Sequence, residues 1–88
     1  MENEKKDIIY LEKQIELLKD TCLNNFINES KNIIDSLLEN DWNIIIKTEL
    51  KNIYSFLQSS DYINALKNIK IMLKSISSIN SYILKHNL

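Results

Sequence analysis

The chain has no glycine and no proline among its 88 residues, and this absence constrains its fold more than any other feature. Glycine supplies left-handed backbone at tight turns and proline presets turn geometry, so hairpin tips and strand boundaries are hard to build without them. Valine is also absent, and threonine occurs only at positions 21 and 48. Isoleucine favours strands, but the missing turn residues weigh more, so a helical chain with short polar connections is expected.

Hydrophobic residues recur with the period of an α-helix in successive segments. In residues 8–22 their spacing is 3-4-3-4, which keeps them on one side of a helix. Residues 24–40 follow with Asn24 or Asn25 as the expected N-cap, and residues 44–57 show the same period after a polar turn. A fourth helix is predicted from residue 62 to about residue 75, with its N-cap within residues 59–61.

A short fifth helix is predicted after a serine cap at Ser77 or Ser78, with Ile79 and Tyr82 among its apolar contacts. Connections of a few residues imply antiparallel neighbours. The sequence therefore predicts an all-α fold, an antiparallel helical bundle of four to five helices. The 88 residues are expected to form one helical-bundle domain. A domain of this size is also compatible with a piece taken from a longer protein.

Charge is divided unevenly along the chain. Residues 1–41 carry ten acids and five lysines, for a net charge of −5, whereas residues 42–88 carry two acids and six lysines, for +4. The overall net charge of −1 gives no general attraction to nucleic acid or to anionic membranes. Antiparallel packing of the two halves is expected to be mildly favourable, because exposed ion pairs contribute little.

Residues suited to chemistry are few. A structural zinc site needs four cysteine or histidine ligands, and the chain offers Cys22 and His86 alone. The carboxylate pairs Glu12 with Glu16 and Glu39 with Asp41 lack the Glu-x-x-His pattern of helical metal sites, and no glycine loop exists to hold a phosphate. We therefore expect no enzyme activity, no metal and no cofactor.

The sequence gives no sign of export or membrane insertion. No apolar run approaches the roughly 18 residues of a membrane span, and the first residues do not resemble a signal peptide. A single cysteine cannot form an intramolecular disulfide. A cytoplasmic protein is expected, with the nucleus as the alternative compartment.

A tryptophan and two isoleucines near the middle of the chain are candidate interaction residues. Trp42 lies in the polar turn before the third helix, where it either plugs the gap between helices or anchors an interface. The plug is the favoured interpretation. Ile44 and Ile45 share the ambiguity, because Ile46 already serves the helical stripe. Self-association through Trp42, Ile44 and Ile45, giving a homo-oligomer, is one functional hypothesis.

Three lysines form a second candidate site. Lys67, Lys70 and Lys74 lie at i, i+3 and i+7, and Lys47 and Lys51 are expected to widen this basic stripe. The stripe is suited to an acidic peptide or to RNA phosphates. Lysine contacts of this kind position a nucleic acid without specifying it, and no interleaved aromatic residue would stack bases. An ordinary solvated face is the favoured interpretation, and nucleic acid is not the favoured partner.

Helices three to five also carry a pattern of known type. It consists of an aliphatic helix, a serine-rich cap followed by an aromatic and an alanine, and a second serine-rich step before a last aromatic helix: Leu50, Ile53, Leu57, Ser59, Ser60, Asp61, Tyr62, Ala65, Ile69, Leu73, Ile79, Asn80, Ser81, Tyr82 and Ile83. This pattern resembles the C-terminal helical domain shared by the steroid receptor RNA activator protein and the outer-coat subunit of the COPII vesicle coat.

The resemblance implies a five-helix bundle without enzyme activity, whose partners are coat or co-regulator components. In the coat protein, such a domain would contribute to vesicle-coat assembly in ER-to-Golgi transport, at endoplasmic reticulum exit sites. In the activator protein, it would serve transcriptional co-regulation. The expected function is therefore a non-enzymatic protein-interaction scaffold.

Overall fold

Four α-helices make up the fold, which we describe from a computed structural model covering residues 4–86, with side chains from residue 8 to residue 82. Helix α1 spans Glu4–Leu23, α2 spans Ile27–Leu38, α3 spans Ile44–Gln58 and α4 spans Tyr62–His86. Among these residues there is no strand. Each helix packs against its neighbours in sequence, and α1 packs against α4, so the four helices close into a ring. The predicted antiparallel bundle is confirmed.

The core consists of aliphatic residues from all four helices, on the faces that the helical period selects. In α1 the predicted 3-4-3-4 stripe is buried from Leu11 to Cys22 and partly buried at Ile8, and α1 packs against α4. Burying one such side chain stabilises the fold by roughly 1.5–3 kcal/mol. The buried hydrophobic residues are Leu11, Ile15, Leu18, Cys22, Ile34, Leu37, Leu50, Ile53, Leu57, Ala65, Ile69, Met72 and Ile76.

Helix α4 is continuous through the position where the sequence predicted a break. The prediction of an end near Ser75 and a new helix after Ser77 or Ser78 is wrong, because the buried face of α4 continues through Ile76 to Asn80 without a shift in period. A serine inside a helix costs only about 0.5 kcal/mol, which this burial offsets. Ser77 therefore does not cap a helix.

The α1–α4 interface contains a polar contact in addition to its apolar seam. The Glu12 carboxylate accepts a hydrogen bond from Ser77 Oγ at 2.6 Å and another from Asn80 Nδ2 at 2.6 Å. Asn80 is buried, so its amide needs this partner. The two bonds join residues 65 and 68 positions apart in sequence, and they fix the level at which α4 lies along α1.

Helices α1 and α4 are longer than the pair between them. At about 1.5 Å per residue, α4 extends roughly 37 Å and α2 only about 18 Å. Because neighbours are antiparallel, the start of α1 and the end of α4 extend together beyond the other two helices. The long dimension of 43 Å, against 21 and 18 Å, reflects this overhang. Ile79 and Tyr82, which were predicted to make apolar contacts, are exposed there.

The turn between α1 and α2 uses a left-handed residue that is not glycine. Asn25 has a φ of 61°. The backbone N–H of Phe26 donates to the carbonyl of Thr21 at 2.8 Å, and that of Asn25 donates to Cys22 at 3.2 Å, which is the Schellman arrangement. The predicted capping of α2 by Asn24 or Asn25 is wrong, because Phe26 occupies the N-cap position without a side-chain bond.

The turn between α3 and α4 has the same geometry. Ser60 has a φ of 59°, Asp61 N–H donates to the Phe56 carbonyl at 2.8 Å, and Ser60 N–H donates to Leu57 at 3.2 Å. Of the three residues predicted as caps, Asp61 serves, since its Oδ1 accepts from the Asn64 backbone N–H at 3.3 Å.

None of the four helices along the described residues combines the length and apolar composition needed to cross a membrane.

Replacing Ser60 with glycine is expected to raise the free energy of unfolding by about 1 kcal/mol, because a left-handed conformation costs a non-glycine residue roughly that much. Asn25→Gly should give a smaller gain, since asparagine tolerates this conformation better. Urea unfolding followed by circular dichroism measures both. Ser59→Gly is the control, because Ser59 has a φ of −85° and gains nothing from glycine; it should lower stability slightly, since the Ser59 hydroxyl donates to the Ser55 carbonyl at 3.0 Å. An unchanged or lower stability for Ser60→Gly would contradict the strain.

Replacing Glu12 with alanine is expected to lower the free energy of unfolding by about 2 kcal/mol, because it leaves the buried Asn80 amide without its acceptor. Glu16→Ala is the control, since Glu16 lies one turn further along α1, is exposed and makes no hydrogen bond or ion pair among the described residues. That change should stay within about 0.5 kcal/mol. Equal losses for the two variants in thermal unfolding would rule out a specific role for the carboxylate.

Candidate functional site

Groups that could do chemistry are dispersed or already engaged. No cluster of three histidine, cysteine, aspartate or glutamate side chains suited to a metal exists among the described residues. Cys22 is buried in the core, and desolvation by burial raises the pKa of its thiol, which disfavours the reactive thiolate. His86, the second candidate from the sequence, has its side chain outside the described residues.

One carboxylate of each pair singled out from the sequence has a structural partner. Glu12 holds Ser77 and Asn80, as described above, and is not a freely solvated group. Asp41 accepts from Lys47 Nζ at 3.2 Å, the one salt bridge within the described part of the chain. Neither carboxylate pair therefore presents two free carboxyl groups to a ligand.

Trp42 is held against the core, as the favoured interpretation required. It is half-buried, and its indole Nε1–H donates to the Leu37 carbonyl at 2.7 Å. Leu37 lies in the last turn of α2, whose terminal carbonyls have no partner within the helix. The tryptophan therefore closes the end of α2, and Asn43 caps α3 next to it by accepting from Ile46 N–H at 2.9 Å.

Ile44 and Ile45 do not join Trp42 in the core. They are 74% and 66% exposed in the first turn of α3, although Leu50, Ile53 and Leu57 of the same helix are buried. Helical geometry explains the difference, because Ile44 and Ile45 lie off the stripe that these three residues continue from Ile46. The structure thus separates the three residues that the sequence grouped as one candidate interface.

The three lysines of the predicted stripe are exposed on one face of α4. The side chains of Lys67, Lys70 and Lys74 make no ion pair or hydrogen bond with any residue that the structure describes. Lys47 does not widen the stripe as predicted, because its ammonium group is engaged with Asp41. Lys51 is exposed on α3.

Two further exposed residues of α4 were missed in the sequence. Ile63 and Ile71 are 84% and 54% exposed, and they lie beside the lysines on the side away from the core. Their positions along the helix could have identified them as exposed, since neither belongs to the helical series Ala65, Ile69 and Met72. In a chain so rich in isoleucine, such residues are easily attributed to the core.

Comparisons of the chain with protein-family models, with curated proteins and with solved structures return no significant match.

Replacing Trp42 with phenylalanine is expected to lower the free energy of unfolding by about 1 kcal/mol, because the Leu37 carbonyl loses the indole donor and keeps only those of Asn40. Chemical unfolding followed by circular dichroism measures the change without relying on tryptophan fluorescence. Ile44→Ser, two residues away and largely exposed, is the control and should change stability by less than about 0.5 kcal/mol. A Trp42→Phe variant as stable as the parent would contradict the structural role of the indole.

Proposed function

We propose that this chain is a non-enzymatic helical domain that binds other proteins through its surface. The observation that carries the proposal is a set of exposed isoleucines on α3 and α4, while the same helices bury a complete aliphatic core. Single exposed apolar residues are common, but large ones that recur on adjacent helices are typical of contact surfaces. The isoleucines of α3 and α4 that are more than half exposed are Ile44, Ile45, Ile63 and Ile71.

The cellular setting of this interaction is a separate proposal. The resemblance to the coat and co-regulator domain would assign it to vesicle-coat assembly in ER-to-Golgi transport, in the cytoplasm at endoplasmic reticulum exit sites. The continuous α4 departs from the five helices that this resemblance implies. The interaction proposal therefore rests on the exposed isoleucines and does not depend on the coat.

A second candidate function is supported by the lysines of α4. Lys67, Lys70 and Lys74 are exposed and unpaired among the described residues, so they are available to an acidic peptide or to RNA phosphates. Against RNA, these positions have no aromatic residue between them on which bases would stack. Protein is therefore the favoured partner.

An affinity capture from a lysate of the source cells tests the main proposal. The tagged chain is expected to recover specific proteins that are lost by a variant with these four isoleucines changed to glutamine, because that variant lacks the apolar contact area. Mass spectrometry identifies the captured proteins. Untagged copies of the chain among them would indicate self-association, and coat components would support the vesicle setting.

The control variant changes Leu17 and Leu23 of α1 to glutamine, since both are exposed leucines on the other half of the bundle. It should retain the captured proteins. Circular dichroism verifies that each variant keeps its helical fold. Identical protein sets for the parent and the isoleucine variant would refute an interaction through these residues.

A further inference from the structure

The outward side of α4 combines aliphatic and basic side chains in one strip. Five exposed residues form it, which we call the α4 outer face: Ile63, Lys67, Lys70, Ile71 and Lys74. Their spacings from the first are four, seven, eight and eleven residues, so they lie on one side of the helix. The strip covers about 16 Å of the helix axis, which is about three turns.

The α4 outer face is not needed for the fold. The opposite side of α4 supplies the core through Ala65, Ile69, Met72 and Ile76, all buried. None of the five side chains of the outer face has a hydrogen bond or ion pair within the described part of the chain. Its residues can therefore be changed without removing a core contact.

Acidic residues are few in the half of the chain that carries the lysines of this face. Residues 42–88 hold two acids against six lysines. These two acids are Glu49 of α3 and Asp61, which caps α4 by accepting from Asn64, and neither forms a salt bridge with a lysine among the described residues. The three lysines of the α4 outer face therefore have no ion-pair partner among the described residues, and they lie beside two exposed isoleucines.

We propose that the α4 outer face is a docking site for an acidic amphipathic helix of a partner protein, a proposal that rests on the interaction function proposed above. Aliphatic side chains of the partner cover Ile63 and Ile71, while its carboxylates lie toward Lys67, Lys70 and Lys74. Charge complementarity selects an acidic partner and speeds its encounter. The isoleucines favour a helix over RNA, because phosphates gain nothing from aliphatic contact.

The test is a titration of the full chain with a designed peptide of about 18 residues, long enough to form a helix on binding. The peptide carries leucines on one face and glutamates along both edges. A scrambled peptide of the same composition and a short poly(U) RNA are the comparison probes. We expect a dissociation constant on the order of 10 μM for the amphipathic peptide, and binding at least about tenfold weaker for the scrambled one.

Two double variants locate the site. Ile63→Ser with Ile71→Ser and Lys70→Gln with Lys74→Gln should each weaken binding by about tenfold, and added salt should weaken the parent but affect the lysine variant less. The control, Lys13→Gln with Leu17→Ser, removes one charge and one apolar side chain from exposed positions of α1 and should bind like the parent. All these positions are exposed, so the fold is expected to persist, which circular dichroism verifies.

Three results would overturn the docking site. The first is no binding of the amphipathic peptide up to about 1 mM, the second is binding unaffected by the isoleucine variant, and the third is tighter binding of poly(U) than of the peptide. The capture experiment stays independent of these results when it is repeated with the Ile63→Ser and Ile71→Ser double variant, because proteins still captured by that variant would support an interaction through Ile44 and Ile45. Failure of the capture experiment together with peptide binding would instead point to a docking site without a partner in those cells.

Discussion

The contact between α1 and α4 is the interaction on which the rest of the structure depends. It joins the first and last helices, and without it the other contacts would link each helix only to its neighbours in sequence. The apolar seam provides most of the free energy, since each buried aliphatic side chain contributes roughly 1.5–3 kcal/mol. The contact of Glu12 with Ser77 and Asn80 fixes the position of α4 along α1. Hydrogen bonds are directional, whereas apolar contacts between leucine and isoleucine side chains are less directional.

Much of this architecture follows from local pattern. The buried stripe of α1 and the helical character of Ile44–Gln58 were predictable, because the period of apolar residues decides between helix and strand even where isoleucine is abundant. The cap at Asp61 was predictable within three residues. The break proposed near Ser77 was wrong, because serines mark helix starts only when no buried face continues across them.

Other features depend on contacts that a single sequence does not show. The hydrogen bonds of Glu12 link residues 65 and 68 positions apart, and no local rule pairs them. Trp42 had two interpretations that only its position against Leu37 could separate. For the candidate sites, the lysine stripe was apparent from spacing, whereas Ile63 and Ile71 were hidden in a composition where most isoleucines serve a core.

The two left-handed turn residues have a consequence for how the bundle opens. Asn25 and Ser60 both lie at the end of the bundle where α1 and α3 finish, because alternate helices point the same way. Strain at both turns lowers the cost of local unfolding at that end, while the opposite end is held by Trp42 and the salt bridge of Asp41. Amide hydrogens at the strained end are therefore expected to exchange with solvent through smaller openings than those beside Trp42. The absence of glycine at these two turns thus makes local unfolding easier at one end of the bundle than at the other.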